Sequence, residues 1–323
     1  MSKNSVVKKN YEQREGRWIF CLCFSSPPLV APPPFIKETI NSSTSLRVCI
    51  LSQRLHKMTN NLSQLLSGNS IVISTGNILN IDKKPGRKST EELTDGLKLT
   101  FKDPEATANL AAGELHRNIT ELQSKLSEHE RPNISIGAKI FLNKKSTENL
   151  NKAMTSLLSI LKVDCVDNVV LAYHPKPSKV VEGDTSYGIL KWGSKDKEST
   201  EELKDLWTHL EQFALDKKIC QLGVSDLDTD TLTELYTGSK VHPLIAQINL
   251  ASCCVVPPPL QEFCTKNDIQ LLTHSDPEII LNDSAWSELN LADLSLDWVV
   301  RYQVHLRCRG VLTAKGYIVG ASK

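Results

Sequence analysis

The stretch ISIGAKIFLNKKSTENLNKAMTSLLSILKVDCVDNVVLAY, residues 134–173, decides the fold. Its first part, Ile134–Leu142, is apolar and rich in β-formers, which predicts a strand. Ser146 then offers an N-cap oxygen, and Leu150, Met154, Leu157, Leu158 and Leu161 share one face at helical spacing. That spacing predicts a helix with one buried side. Asn168–Tyr173 follows as an apolar run without alternation, as a strand buried on both faces requires. Strand, helix and strand in this order make a parallel β/α unit.

The same rhythm extends outward on both sides. Ser199-Thr200-Glu201-Glu202 reads as a capping box that opens a helix to about Leu215. Strands are expected at Ile219–Val224, Leu244–Leu250 and Ile269–Thr273. Helices are expected at Asp228–Tyr236 and at Pro257–Asn267, the latter with proline at its start. A helix near Asp293–His305 and a strand near Gly310–Thr313 close the series. Upstream, Ser70–Leu79 is a β-rich run broken at Gly76-Asn77 by a bend or a hairpin. Ser89-Thr90-Glu91-Glu92 repeats the capping box, and a helix weakened by Gly113 is expected over roughly Pro104–Leu126. This alternation predicts an α/β fold, a (β/α)8 TIM barrel, irregular at its N-terminal units. A doubly wound sheet is the alternative, but no G-x-G-x-x-G turn follows any strand.

Composition narrows the function. The 323 residues are 40% hydrophobic, enough for one large domain or two small ones. Net charge is +1, from 38 basic and 37 acidic residues, so the basic field of a nucleic-acid binder is missing. The nine cysteines fit no paired zinc pattern, and scattered thiols suit a reducing, cytoplasmic setting. No run of about 18 apolar residues predicts a membrane span. Residues 1–57 are rich in Pro, Ser and Lys without period, and read as a disordered or spurious extension. Within them, Lys8, Lys9, Arg14 and Arg17 precede the apolar Trp18–Phe24 and imitate a signal peptide, though the apolar run is short. The folded domain is expected over residues 58–323.

In a β/α barrel, chemistry belongs at the C-terminal ends of the strands. The candidates there are Lys139, Tyr173, His174, Ser225, Asp226, Gln247, Asn249, His274 and Lys315. Lys139 lies in an apolar strand, where a bare ammonium is costly. It either lowers a neighbour's pKa or pairs with a carboxylate at the barrel mouth. His174 is a proton donor or simple loop filler before Pro175. Ser225-Asp226 reads more readily as an N-cap for the helix starting near Asp228 than as a catalytic pair. Gln247 and Asn249 alternate on one strand face and need partners inside the barrel. Cys253 and Cys254 are adjacent thiols that bond each other only under strain. They read as buried free cysteines, or else as redox or intersubunit groups.

These residues carry a resemblance. Trp207 with Lys218-Ile219-Cys220-Gln221-Leu222-Gly223-Val224-Ser225-Asp226 resembles the aldo-keto reductase stretch W…GKIRxIGVSN. Tyr173-His174-Pro175 stands where that family keeps H-W-P, and Val311-Leu312-Thr313-Ala314-Lys315 resembles its cofactor-phosphate segment V-I-P-K-S. The run Gln247-Ile248-Asn249-Leu250-Ala251-Ser252-Cys253-Cys254-Val255-Val256-Pro257-Pro258 is similar to one branch of the family, the regulatory subunits of glutamate–cysteine ligase. Thr75–Asn80, Ala138–Phe141 and Asp268–His274 extend the likeness, which covers roughly residues 70–320. The resemblance implies a barrel of aldo-keto reductase type that binds the ligase catalytic subunit as a heterodimer, with an intersubunit disulfide as an option. It further implies raised glutamate affinity and relaxed glutathione inhibition in that partner.

A working reductase of this family needs a tyrosine ahead of the lysine to protonate the carbonyl. The six tyrosines are Tyr11, Tyr173, Tyr187, Tyr236, Tyr302 and Tyr317, so none lies between Tyr11 and Lys139. His274 replaces a stacking aromatic, Gly316 a serine and Asp226 an asparagine. Lys139 and His174 are therefore expected as vestigial catalytic positions. Ser225, Asp226, Gln247 and Lys315 are expected as vestigial cofactor positions, with no cofactor required and residual NADPH binding left open. The alternative is an NADPH-dependent aldo-keto reductase with an altered proton donor.

Overall fold

A computed structural model describes residues 53, 60–79, 87–175, 197–249, 256–291 and 293–323. All of them belong to one of the two units into which the chain divides, Leu46–Lys323. The expected extension over residues 1–57 lies, apart from Gln53, outside the described residues, as do Cys253 and Cys254.

A helical segment, α1 (residues 60–67), leads into β1 (Ser70–Ser74) and α2 (Ser89–Lys102). Short strands β2 (Thr107–Asn109) and β3 (Glu114–His116) precede α3 (Ile119–Ser127). Then come β4 (Ile134–Leu142), α4 (Thr147–Leu161), β5 (Val166–Tyr173) and α5 (Lys197–Leu215). They are followed by β6 (Ile219–Ser225), α6 (Thr229–Gly238), β7 (Ile245–Asn249), α7 (Pro258–Lys266) and β8 (Gln270–His274). A short α8 (Asp283–Ser287) and two long strands, β9 (Ser295–Leu306) and β10 (Val311–Ser322), complete the order.

The sheet runs β2-β3-β1-β10-β9-β4-β5-β6-β7-β8. From β4 to β8 every neighbour is parallel and successive, the signature of repeated right-handed β/α units. β4 and β8 stand four strand steps apart, about 19 Å in a flat sheet. Yet Lys139 on β4 reaches Asp276, two residues past β8, at 3.0 Å. The sheet therefore curls back on itself as a β/α barrel.

The local causes are legible in the α4 unit. Ser146 Oγ accepts from the Asn149 backbone N–H at 3.1 Å and caps the helix. Lys162, at φ 54°, ends it in the left-handed region. Leu150, Ala153, Met154, Leu157, Ile160 and Leu161 form its buried face, and Leu158 is only partly buried. Each fully buried leucine contributes roughly 1.5–3 kcal/mol. β5 is buried without a break from Val169 to Tyr173, as its unalternating sequence requires.

One expected helix forms only in its second half, and another does not form. Residues 104–118 hold β2 and β3, because Gly113 turns the chain at φ 69° between the two strands, and the helix is confined to α3, Ile119–Ser127. The segment near 293–305 is β9, paired antiparallel with β4 on one side and β10 on the other. The last strand, expected near 310–313, runs to Ser322 and pairs antiparallel with β1. A β9–β10 hairpin thus replaces the last β/α unit, and the barrel's irregular part lies between β4 and β3. The core divides accordingly. One cluster fills the space among β4–β8 and helices α3–α7, and the other lies where α2 and α8 cover β1, β9 and β10.

Candidate functional site

The register of β4, β9 and β10 lines up three polar side chains. Lys139 pairs with Arg301, and Arg301 pairs with Tyr317. In-register partners share a face, so two cations and a phenol sit side by side. Two like charges directly opposite repel, and the fold answers with Asp276. Its carboxylate accepts from Lys139 Nζ at 3.0 Å, from Arg301 Nη2 at 2.9 Å and from Ser89 Oγ at 2.6 Å. A second bond from Arg301 Nη1 makes that pair bidentate. Both cations also lie over the Phe141 ring, at 5.4 Å for Lys139 Nζ and 5.6 Å for Arg301 Cζ.

Burial sets the protonation of this group. Lys139 is 4% exposed, and burial pulls its pKa down to about 8 against the opposing pull of Asp276. Burial pushes the Asp276 carboxyl up, but the hydrogen bonds and charge of Arg301, with Lys139, hold it well below the usual carboxylate range. Asp276 is thus ionised, and it occupies the cations as a ligand carboxylate would.

Ser89 was expected to cap α2. It is instead the first helical residue, Lys88 is the N-cap, and no side chain caps the helix. Ser89 turns to Asp276, and Glu92 turns to Lys315 and Tyr317. Lys315 Nζ lies 2.6 Å from one Glu92 oxygen and 2.8 Å from the other. The Tyr317 hydroxyl donates to Glu92 at 2.8 Å, and burial pushes its pKa far up.

A second network joins the first. His274 Nδ1 accepts from the Asp276 backbone N–H at 3.1 Å, which assigns the neutral ring's proton to Nε2. Nε2 then donates to Asp226 Oδ1 at 2.9 Å, with Ser225 Oγ at 3.0 Å beside it. Ser225 Oγ donates to Asp226 Oδ2 at 2.9 Å, and His174 Nε2 stands 3.4 Å from that same oxygen. Burial pushes Asp226 up, but the bonds from His174 and His274 keep it far below the carboxylate range. Asp226 sits at φ 63°, a left-handed position that Asp tolerates better than most residues.

The expectation that Ser225-Asp226 caps the next helix is corrected here. Asp228 caps α6, accepting from the Thr231 N–H at 2.8 Å, which leaves Ser225 and Asp226 to the network. Asn249 Nδ2 donates to the Asp276 carbonyl at 2.8 Å. Gln247 Oε1 and His174 Nδ1 are buried without a hydrogen-bond partner among the described residues. Tyr173 does not join the mouth. Its hydroxyl donates at 2.6 Å to Glu202 on α5. Tyr302 donates to the Gly76 carbonyl at 2.9 Å. Among the described residues, all three buried tyrosines thus give their protons to acceptors other than a substrate position beside Lys139. The sequence reading missed Asp276, Arg301, Glu92 and Tyr317. Tyr317 reaches the row from the end of the chain opposite to where a tyrosine was sought.

Among the described residues, no cluster of three or more His, Cys, Asp or Glu is suited to a metal ion, and no helix is long and apolar enough to cross a membrane.

Residues 110–276 match the model of the aldo/keto reductase family. The chain belongs to the aldo/keto reductase family. Within it, the chain is 31% identical to the human glutamate–cysteine ligase regulatory subunit, over 80% of this chain and 95% of that protein. The mouse regulatory subunit gives the same 31%, with the same coverage. Among solved structures, a Bombyx mori aldo-keto reductase in complex with NADP is 16% identical, covering 64% of this chain and 62% of its own, at a TM-score of 0.37.

An aldo/keto reductase cofactor brings phosphates and a nicotinamide amide. The matching residues here do not fit them as arranged. Lys315 is ion-paired with Glu92, so its ammonium already has a carboxylate partner and is not free for a phosphate. Gly316 cannot carry the family's serine, because a Cβ there would lie 2.2 Å from the Gly76 carbonyl oxygen and 2.3 Å from the Tyr302 hydroxyl. Ser225 and Asp226 spend their bonds on each other and on His274.

Proposed function

We propose that this chain is a regulatory subunit of glutamate–cysteine ligase that performs no chemistry of its own. It binds the catalytic subunit as a heterodimer in the cytoplasm, raises that subunit's affinity for glutamate and relaxes its inhibition by glutathione. The observation that carries this reading is the occupied barrel mouth. Lys139, where a reductase needs a free amine beside a phenol, is buried against Asp276 and Arg301, and the phenol in its row, Tyr317, is committed to Glu92. The named relatives, similar over nearly their whole length, support the same reading. No cofactor is needed for this role. Control of this kind requires the subunit to bind one state of its partner more tightly than another. Cys253 and Cys254 are the candidates for an intersubunit disulfide.

The test is to mix the purified chain with the ligase catalytic subunit. Co-elution is expected, with a lower KM for glutamate and weaker inhibition by glutathione. Separate elution with unchanged kinetics refutes the proposal. NADPH turnover with aldehydes, abolished in Lys139→Met, would put the reductase reading in its place.

A further inference from the structure

At the end of the barrel opposite the charged cluster, two thiols meet. Cys165 immediately precedes β5, and Cys220 is the second residue of β6. Their Sγ atoms are 3.4 Å apart, and both cysteines are free. The two backbones are already fixed. Val166 and Ile219 are register partners, and the Val166 N–H donates to the Lys218 carbonyl at 3.0 Å. Arg131 Nη2 clamps the Cys165 carbonyl at 2.9 Å and Asp167 at 2.8 Å. A disulfide needs a sulfur separation of about 2.05 Å, so side-chain rotation has little distance to close.

We propose that Cys165 and Cys220 form a dithiol site that is oxidised to an intrachain disulfide by low-molecular-weight disulfides. Cys220 is exposed and Cys165 half-buried, which sets the order of events. The Cys220 thiolate attacks one sulfur of the incoming disulfide, forming a mixed disulfide and releasing the first thiol. The Cys165 thiol then loses its proton and attacks the Cys220 sulfur. The protein disulfide forms, and the second thiol leaves with that proton. Two protein thiols and one small disulfide thus become one protein disulfide and two small thiols. Burial, and then the hydrogen bond with Cys220, push the Cys165 thiol up to about 11, which makes it the poorer first attacker; in the second step its proximity to the Cys220 sulfur, and not its acidity, carries the reaction. The barrel's base, and not its mouth, is therefore the redox-responsive end of the described structure.

The experiment treats the reduced full-length chain with glutathione disulfide, quenches with acid and maps peptides by mass spectrometry without reduction. A linked Cys165–Cys220 peptide is expected, with no glutathione retained on either residue. In Cys165→Ser, glutathione stays on Cys220. In Cys220→Ser, reaction at Cys165 slows by roughly ten-fold or more, because its thiol is the less exposed. Glutathione retained on Cys220 of the unaltered chain would overturn the proposal, as would Cys220 linked to any other cysteine. The unaltered chain decides the matter by itself, so a poorly folding variant does not obscure the result.

Discussion

Lys139 makes stability depend on alkaline pH in a direction that can be worked out. Its folded pKa is about 8 against an ordinary lysine value of 10.5, because burial disfavours the ammonium. Over the window between those values the unfolded chain binds more protons at this site than the folded chain. Stability therefore rises with pH there, and the site's penalty is fully present below pH 8. Between about pH 7 and about pH 10, the two values predict a gain of roughly 2–3 kcal/mol from this one group. Other groups titrate in the same range, so the quantity to measure is a difference. Urea unfolding, followed by the fluorescence of the buried Trp207, Trp286 and Trp298, gives stability across the range for the unaltered chain and for Lys139→Met. Methionine keeps the length and contact with Phe141 without the titrating amine. The stability of the unaltered chain relative to Lys139→Met should rise by roughly 2–3 kcal/mol from the lower to the higher pH. Parallel curves would refute the reasoning, since they would mean that Lys139 binds its proton equally in both states.

Two further outcomes follow from single contacts. Gly316→Ser, which restores the family's residue, should lower stability by about 1–3 kcal/mol, because its Cβ has no room beside the Gly76 carbonyl and the Tyr302 hydroxyl; an unchanged melting temperature would contradict this. Glu211→Leu should cost about 2–3 kcal/mol, since the buried Glu211 Oε1 accepts the N–H groups of Lys240 at 2.5 Å and Val241 at 2.8 Å, and leucine leaves both bare. Glu211→Gln keeps an acceptor and should recover most of that loss in the same denaturant titration.

The parallel half of the fold was legible because its periodicities are strong. Ile134–Leu142 coincides with β4, and Ser146 caps α4 as its position predicts. The hairpin half was misread by extending the β/α alternation over a local pattern that says otherwise. Val300, Tyr302 and Val304 are buried while Arg301, Gln303 and His305 are less so, a period of two that belongs to a strand. Reading that segment as a helix hid Arg301 from the site, and with it the reason Lys139 needs Asp276. The capping box at Ser89 failed for the complementary reason. Its side chains satisfy the local rule in sequence, but the charged cluster offers Ser89 and Glu92 stronger partners than the helix end does. His274 and Asp226 were legible as residues at strand ends, but their bond joins positions 48 residues apart, which only the curled sheet brings together.

The pairing of β1 with β10 has a consequence for how the molecule is made. Thr75 and Tyr317, hydrogen-bonded across that seam, are separated by 242 residues of chain. At a synthesis speed of about 5–20 residues per second, Ser70–Ser74 waits roughly ten seconds to most of a minute after leaving the ribosome before its antiparallel neighbour exists. Through that interval a nascent copy carries an apolar strand with an uncovered side, the kind of edge to which other chains add. Yield in a cell or an expression host then depends on what shelters β1 while translation finishes.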